Sequence, residues 1–220
     1  MKHIVIAIDG PSASGKSTNA RMVAALLNYV YVDTGAMFRT LAWHCLRNRV
    51  DVHDAKAVAV LLRKWKARLD CMEGKVRLLV DGYYPEKEIR TAETSAAVAH
   101  VAAIPKVRDW MKKTQRECIQ FGDLVMEGRD IGTHIFPETD FKFWLDAPLD
   151  ERAGRRRAEG VHENLAERDE RDSQRAAAPL MPALGALKIN NSGMTPEQSA
   201  NLIIAEVHRR LEHRKSARMK

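Results

Sequence analysis

Residues 10 to 17 read Gly-Pro-Ser-Ala-Ser-Gly-Lys-Ser, a loop of the pattern GxxxxGK[ST], and this loop restricts the possible folds more than any other stretch. Before it, Ile4 to Ile8 is a short apolar, β-branched run bounded by Asp9 and Gly10, the mark of a buried parallel strand. After Lys16, apolar residues at Met22, Val23, Leu26 and Leu27 mark one face of a helix that starts inside the loop. Strand, glycine loop and helix follow in order, the context that separates a phosphate cradle from a bland glycine turn. In such a cradle the glycines let successive backbone N–H groups curl around an anion, and the helix points its positive end at the same charge. The candidate donor-binding residues are Gly10, Pro11, Ser12, Ala13, Ser14, Gly15, Lys16, Ser17 and Thr18. Lys16 reaches terminal phosphates, and the Ser17 hydroxyl is placed on Mg²⁺. Kinases, GTPases, ATPases and motors all use such a loop. No Asn-Lys-x-Asp guanine-reading motif accompanies it here, which weakens a GTPase reading.

Four further short strands are expected at Tyr29 to Val32, Leu124 to Glu127, Phe141 to Leu145 and Leu187 to Ile189. The pattern predicts an α/β fold of the P-loop class, with a five-stranded parallel sheet flanked by helices. Several strands end at charged or glycine residues, which gathers these at the carboxyl edge of the sheet, where α/β proteins bind ligands. Helices are expected over Ala36 to Leu46, residues 55 to 69, and from Pro105 to about Phe121. Lys66 to Cys71 and Lys75 to Asp81 flank the turn Glu73-Gly74 and read as a small hairpin in an accessory lobe. Residues 149 to 178 are dense in charge and read as helices flanking a mobile lid. The expected organisation is one domain: a core of 1–54, 104–150 and 179–213, an insertion of about 55–103, a lid of about 151–178, and a frayed basic tail of 214–220.

An excess of 36 Lys plus Arg over 29 Asp plus Glu, a formal +7, favours an anionic partner, either nucleotide phosphates or nucleic acid. A nucleic-acid binder of this charge would show a basic patch with stacking aromatics, yet aromatics make up only 6% of the chain and are scattered. Cys45, Cys71 and Cys118 lie far apart without a CxxC pair, so neither a disulfide framework nor a zinc site is indicated, and a reducing cytoplasm is the expected setting. The apolar N-terminal run is too short for a signal peptide, and no segment approaches the ~20 apolar residues of a membrane span. A monomer without membrane or nucleic-acid partners is expected.

A kinase whose acceptor is itself a phosphate must bring two polyanions together, so it needs several arginines that close around them. Candidates are Arg39, Arg108, Arg129 and the group Arg152, Arg155, Arg156, Arg157, Arg168, Arg171 and Arg175; taken singly, each is equally at home in a surface ion pair. Here the chain resembles the bacterial cytidylate kinase family. The blocks that carry the resemblance are Ile8-Asp-Gly-Pro-Ser-Ala-Ser-Gly-Lys-Ser17, Tyr31-Val-Asp-Thr-Gly-Ala-Met-Phe-Arg39 and Glu127-Gly-Arg-Asp-Ile-Gly-Thr133. Ile89-Arg-Thr91 with Val101-Ala-Ala-Ile-Pro-Lys-Val-Arg108, and Glu167-Arg-Asp-Glu-Arg-Asp-Ser-Gln-Arg175 before Ala178-Pro-Leu, are similar to its acceptor-binding and lid segments. The resemblance spans nearly the whole chain, in order.

The resemblance implies transfer of the terminal phosphoryl group of ATP, with Mg²⁺, to CMP or dCMP. It implies that Thr34 and Arg39 lie near the acceptor phosphate, and that Arg129 and Arg108 hold the nucleotide, Arg108 reaching toward the base. It further implies that Asp130 accepts a hydrogen bond from the cytosine amino group and Asp172 one from the sugar, while Arg168 and Arg175 meet phosphates and ribose. Arg152 matches an arginine that stacks on the donor adenine, and Arg156 is aligned to meet donor phosphates, with the register of Arg155-Arg-Arg157 left open. Lys16, Arg129, Arg168 and Arg175 carry the catalytic charge stabilisation. An ionised carboxylate only accepts hydrogen bonds, so it meets a donor on cytosine but a carbonyl on uracil; the rival role for Asp130 is a helix N-cap. Asp33 either binds Mg²⁺ waters or caps the next helix. The family's usual serine in the cytosine contacts is replaced by Ala99, which leaves His100, Ser95 or water to make that contact, and the lid is shorter than in longer members. The alternatives are a P-loop kinase for another small acceptor, such as UMP or shikimate, and an ATP-dependent nucleic-acid-binding protein.

Overall fold

The computed structural model describes residues 3–158, 160, 164–175 and 178–218. Its elements in chain order are β1 (Val5–Asp9), α1 (Lys16–Leu27), β2 (Val30–Asp33), α2 (Thr34–Arg47), α3 (Ala55–Lys64), β3 (Ala67–Met72) and β4 (Lys75–Val80). There follow α4 (Ala92–Ala103), α5 (Pro105–Glu117), β5 (Leu124–Gly128), β6 (Phe141–Asp146), α6 (Leu149–Ala158), α7 (Leu165–Ser173), β7 (Leu187–Asn190) and α8 (Pro196–Arg218). Of the lid expected from sequence, residues 159, 161–163 and 176–177 lie outside the described residues, as do 219 and 220 of the tail.

Among the described residues seven strands form one sheet in the order β3-β4-β2-β5-β1-β6-β7, flanked by helices. β1 pairs parallel with both β5 and β6, and β6 with β7, while β3 and β4 are antiparallel. The expectation of five strands is therefore corrected to seven: the hairpin read as a separate lobe extends the sheet. The reason lies in β4, whose Val76, Leu78, Leu79 and Val80 are all buried, so this strand has apolar side chains for both faces of a sheet. The helix expected over 55–69 stops at Lys64, because the chain turns extended at Trp65 and enters β3. α8 runs to Arg218, so the segment from Arg214 expected to fray is helical to that point.

The chain divides into two compact units, residues 1–31 with 122–220, and residues 32–121. In the first, Ile6, Ile8, Val125, Phe141, Phe143, Leu145 and Ile189 meet Ala20 and Val23 of α1 and Ala200, Ile203 and Val207 of α8 in one apolar core. Burying these side chains fixes the strand carboxyl ends, from which the glycine loop and the Gly128-Arg129-Asp130 turn leave. In the second unit the helices start at sequence-encoded caps. Asp33 accepts from Ala36 N at the head of α2, Asp54 from Lys56 N and Ala57 N at α3, and Thr91 from Thr94 N at α4. Pro105 opens α5, where its missing N–H costs nothing.

Candidate active site

The glycine loop leaves β1 at Gly10, whose φ of +154° no side chain would tolerate easily. A Cβ there would lie 2.0 Å from the carbonyl oxygen of Leu145, so only glycine lets the loop pass over the end of β6. Gly15, at φ +86°, makes the left-handed step into α1. Between them, five consecutive carbonyls are held by side chains: Arg129 Nη1 donates to Gly10 O at 2.8 Å and Lys16 Nζ to Pro11 O. Arg152 Nη1 reaches Ser12 O at 3.0 Å, Arg155 Nη1 reaches Ala13 O at 3.2 Å, and Asn191 Nδ2 reaches Ser14 O at 2.8 Å. Each peptide so engaged has its C=O committed to the protein, which turns the N–H groups later in the loop, beyond Pro11 and the Asp169-bonded Ser12, toward an anion. Thr18 lies exposed in the first turn of α1.

Lys16 is buried, and its ammonium pKa is pushed down to about 7, first by that burial and then by the charge of Arg129, with Arg168 adding to it and Glu127 opposing. A cation held in a dry site among other cations is a place built for a polyanion. Ser17 Oγ donates to Glu127 Oε2 at 2.8 Å, and the phenol of Tyr31 donates to the other oxygen of the same buried carboxylate. Glu127 appears in the sequence only as part of a block; its role shows once β5 lies beside β1 and brings it to the loop.

The turn after β5 is fixed from below. Asp9, buried at the end of β1, accepts from Ile131 N and Gly132 N, both at 2.8 Å. Burial first, with Asp130's charge adding, pushes the Asp9 carboxyl up to about 7 although these two N–H bonds oppose the rise. The residues from Ile131 to Ile135 form a π-helical turn, and Asp130 at its head makes no side-chain cap bond, so the capping role weighed for it is not adopted. Asp130 is itself buried.

Within the same unit, Asp172 on α7 joins Arg129, whose Nε lies 2.9 Å away, to Arg175, three residues further along the chain and past the end of α7, and is only 3% exposed. Arg168 lies one turn before it on α7. Arg152 is buried, bonded to Ala147 O and paired with Asp169 at 2.6 Å, and Asp169 also accepts from Ser12 N. The open register on α6 resolves in part: Arg152 and Arg155, spaced by three, meet the loop, and Arg155 also contacts Asn191. Arg156 lies half-buried on the same helix. Asp169, Asn191 and Glu127 are the functional candidates that sequence reasoning did not single out; contacts across 17 to 177 residues leave no local signal.

The second unit holds its own group. Thr34 is buried at the first residue of α2, and Arg39 lies five residues on in the same helix. Asp33 both caps α2 and pairs with Arg90 at 3.0 Å, so the capping alternative holds and its second oxygen is occupied by a guanidinium. Arg108 is buried on α5, its guanidinium 5.6 Å from the Phe38 ring, a face on which a flat heterocycle also stacks well.

The family model for cytidylate kinase matches residues 6–209. A cytidylate kinase of Anoxybacillus flavithermus is 40% identical over 222 residues, 96% of this chain and 99% of the relative. Those of Geobacillus kaustophilus and Clostridioides difficile are 39% and 37% identical, covering 96% and 94% of this chain and 99% and 100% of their own lengths.

Proposed function

This chain belongs to the cytidylate kinase family, and we propose on that footing that it carries the terminal phosphoryl group of ATP to CMP or dCMP, releasing ADP and CDP or dCDP. It is an enzyme, a nucleoside monophosphate kinase. The observation that carries the donor half is the loop of residues 10–15 with its carbonyls tied away from the cradle and the buried, cation-flanked Lys16 at its end.

The attacking acceptor phosphate is already anionic and the transition state is loose, so the reaction asks for positioning and charge stabilisation more than for a general base. Lys16 and the loop from Gly10 through Ser17 and Thr18 hold the donor phosphates, with the N–H groups from Ala13 onward as the donors and with Arg152 and Arg156 on the donor side as the family pattern has them. Arg129, Arg168 and Arg175 stabilise charge that develops on the transferring group. Asp172 pairs with Arg129 and Arg175; an arriving nucleotide takes over these guanidiniums, and Asp172 turns to the sugar hydroxyls. Thr34 and Arg39 face the acceptor phosphate, Arg108 the base, and Asp130 the cytosine amino group.

The Ser17 hydroxyl and the Glu127 carboxylate beside it are hard oxygen donors and fit Mg²⁺. Ser17 and Glu127 would hold the ion, which would supply positive charge to offset that of the donor phosphates. Asp33 serves through its cap on α2 and its pair with Arg90. The proposal includes a P-loop fold, an acceptor-binding insertion at about 55–103, an arginine lid at about 151–178, and a cytoplasmic monomer. No described helix is long and apolar enough to cross a membrane.

The test is a coupled assay that follows ADP release with CMP, dCMP, UMP, AMP and shikimate offered in turn. CMP or dCMP should give the highest kcat/KM; if UMP or AMP outruns them, the acceptor assignment falls.

A further inference from the structure

On the unit of residues 32–121 a cavity of about 460 Å³ opens between α3, the start of β3 and α5, lined by Ala59, Leu62, Arg63, Trp65, Lys106 and Trp110 among others. Its size falls in the range of small-molecule sites. α5 gives it a separate face: Lys106 and Trp110 are four residues apart and share one side of the helix. Arg108 lies about 200° around from their side at 3.6 residues per turn and is turned to Phe38. None of the residues assigned to phosphoryl transfer lines the cavity, so the inference stands apart from the proposed acceptor site.

Three features define what the cavity would hold. The Trp65 and Trp110 rings meet at 4.7 Å between centroids, and Trp65 is also in ring contact with His44 at 5.8 Å, so the indole wall is pre-formed. The indole Nε1 of Trp65 is buried away from the cavity's solvent, so Trp65 offers the cavity ring surface, not its N–H. Arg63 and Lys106 stand exposed at the rim, and neither is in an ion pair with a described carboxylate. Apolar and aromatic walls and two cations outside ion pairs complement one ligand type. We propose that this cavity binds a small, flat aromatic anion, its ring against the two indoles and its carboxylate or phosphate between Arg63 and Lys106.

The four tryptophans give a direct readout in ¹⁵N-labelled protein, since each contributes one indole N–H resonance. Titration with 1-naphthoate should shift the Trp65 and Trp110 indole resonances saturably and leave Trp144, in the other unit, in place. The neutral isostere 1-naphthamide should bind about tenfold more weakly, the usual loss for a charge-assisted contact. The double variant Arg63→Gln/Lys106→Gln should lose a similar factor for 1-naphthoate while phosphorylating CMP at the parent rate, and Trp65→Leu should weaken binding through loss of the indole wall. Absence of a saturable shift, equal binding of acid and amide, or undiminished binding by the double variant would each overturn the proposal.

Discussion

Lys16 shows how one residue's environment is set for its ligand. Its pKa is pushed down to about 7 by burial and by Arg129, so in the free protein near pH 8 most of these side chains are neutral. A polyphosphate beside it favours the ammonium and raises the pKa, so donor binding must take up a proton by linkage. Calorimetry of ATP binding at pH 8 in two buffers of different ionisation enthalpy should report uptake approaching one proton, falling toward zero at pH 6, and the ATP affinity should decline as pH rises above about 7. Lys16→Ala should abolish both the uptake and transfer to every acceptor. In the proposed function Asp130 is assigned to the other substrate. Facing uracil, its buried carboxylate would meet an acceptor, a mismatch that costs about 1 to 3 kcal/mol. Asp130→Ala should therefore narrow the ratio of kcat/KM for CMP over UMP by about tenfold; an unchanged ratio would remove the amino contact.

The elements matter through where they end. β1 delivers both the glycine loop and Asp9, and Asp9 in turn holds the turn after β5, so one strand end registers two candidate segments. The crossing of Gly10 over Leu145 is the tightest point: Gly10→Ala would drive a methyl to 2.0 Å from a backbone oxygen that cannot rotate away. Urea denaturation should show a loss of about 3 kcal/mol or more. This strand, loop and helix were legible in the sequence because a β-branched run, two glycines and a helical period agree. The five strands expected from apolar runs are all present, but the hairpin's membership of the sheet was not legible, since an apolar run says that a strand is buried, not against which neighbour. The helical end of α8 was hidden likewise, behind a charged composition; Glu206 with Arg209 and Arg210 makes local pairs that suit a helix. In the site, motif residues with a direct part were legible, whereas Glu127, Asp169 and Asn191 reach loop atoms far away in sequence, a contact that neither a contiguous block nor a local pattern announces.

Across the whole molecule the formal +7 raises the question of whether anionic substrates are steered in from a distance. The arginine-dense segment argues for restraint. Arg152 is paired with Asp169, Arg155 with Glu151, Arg171 with Glu167, and Asp172 is shared by Arg129 and Arg175, so much of the local positive field is cancelled before a nucleotide arrives. These pairs place guanidiniums in readiness at short range and contribute little at long range. Raising ionic strength from about 0.01 M to about 0.15 M shortens the screening length from about 30 Å to about 8 Å. An unpaired cluster of that many arginines should then lose orders of magnitude in kcat/KM for CMP, as strongly steered association does. The pairing observed predicts a fall of only about two- to fivefold, at saturating ATP and with free Mg²⁺ held constant. A steep fall would mean that these carboxylates release their arginines before the substrate binds; a flat profile would mean that the net charge plays no part in capture.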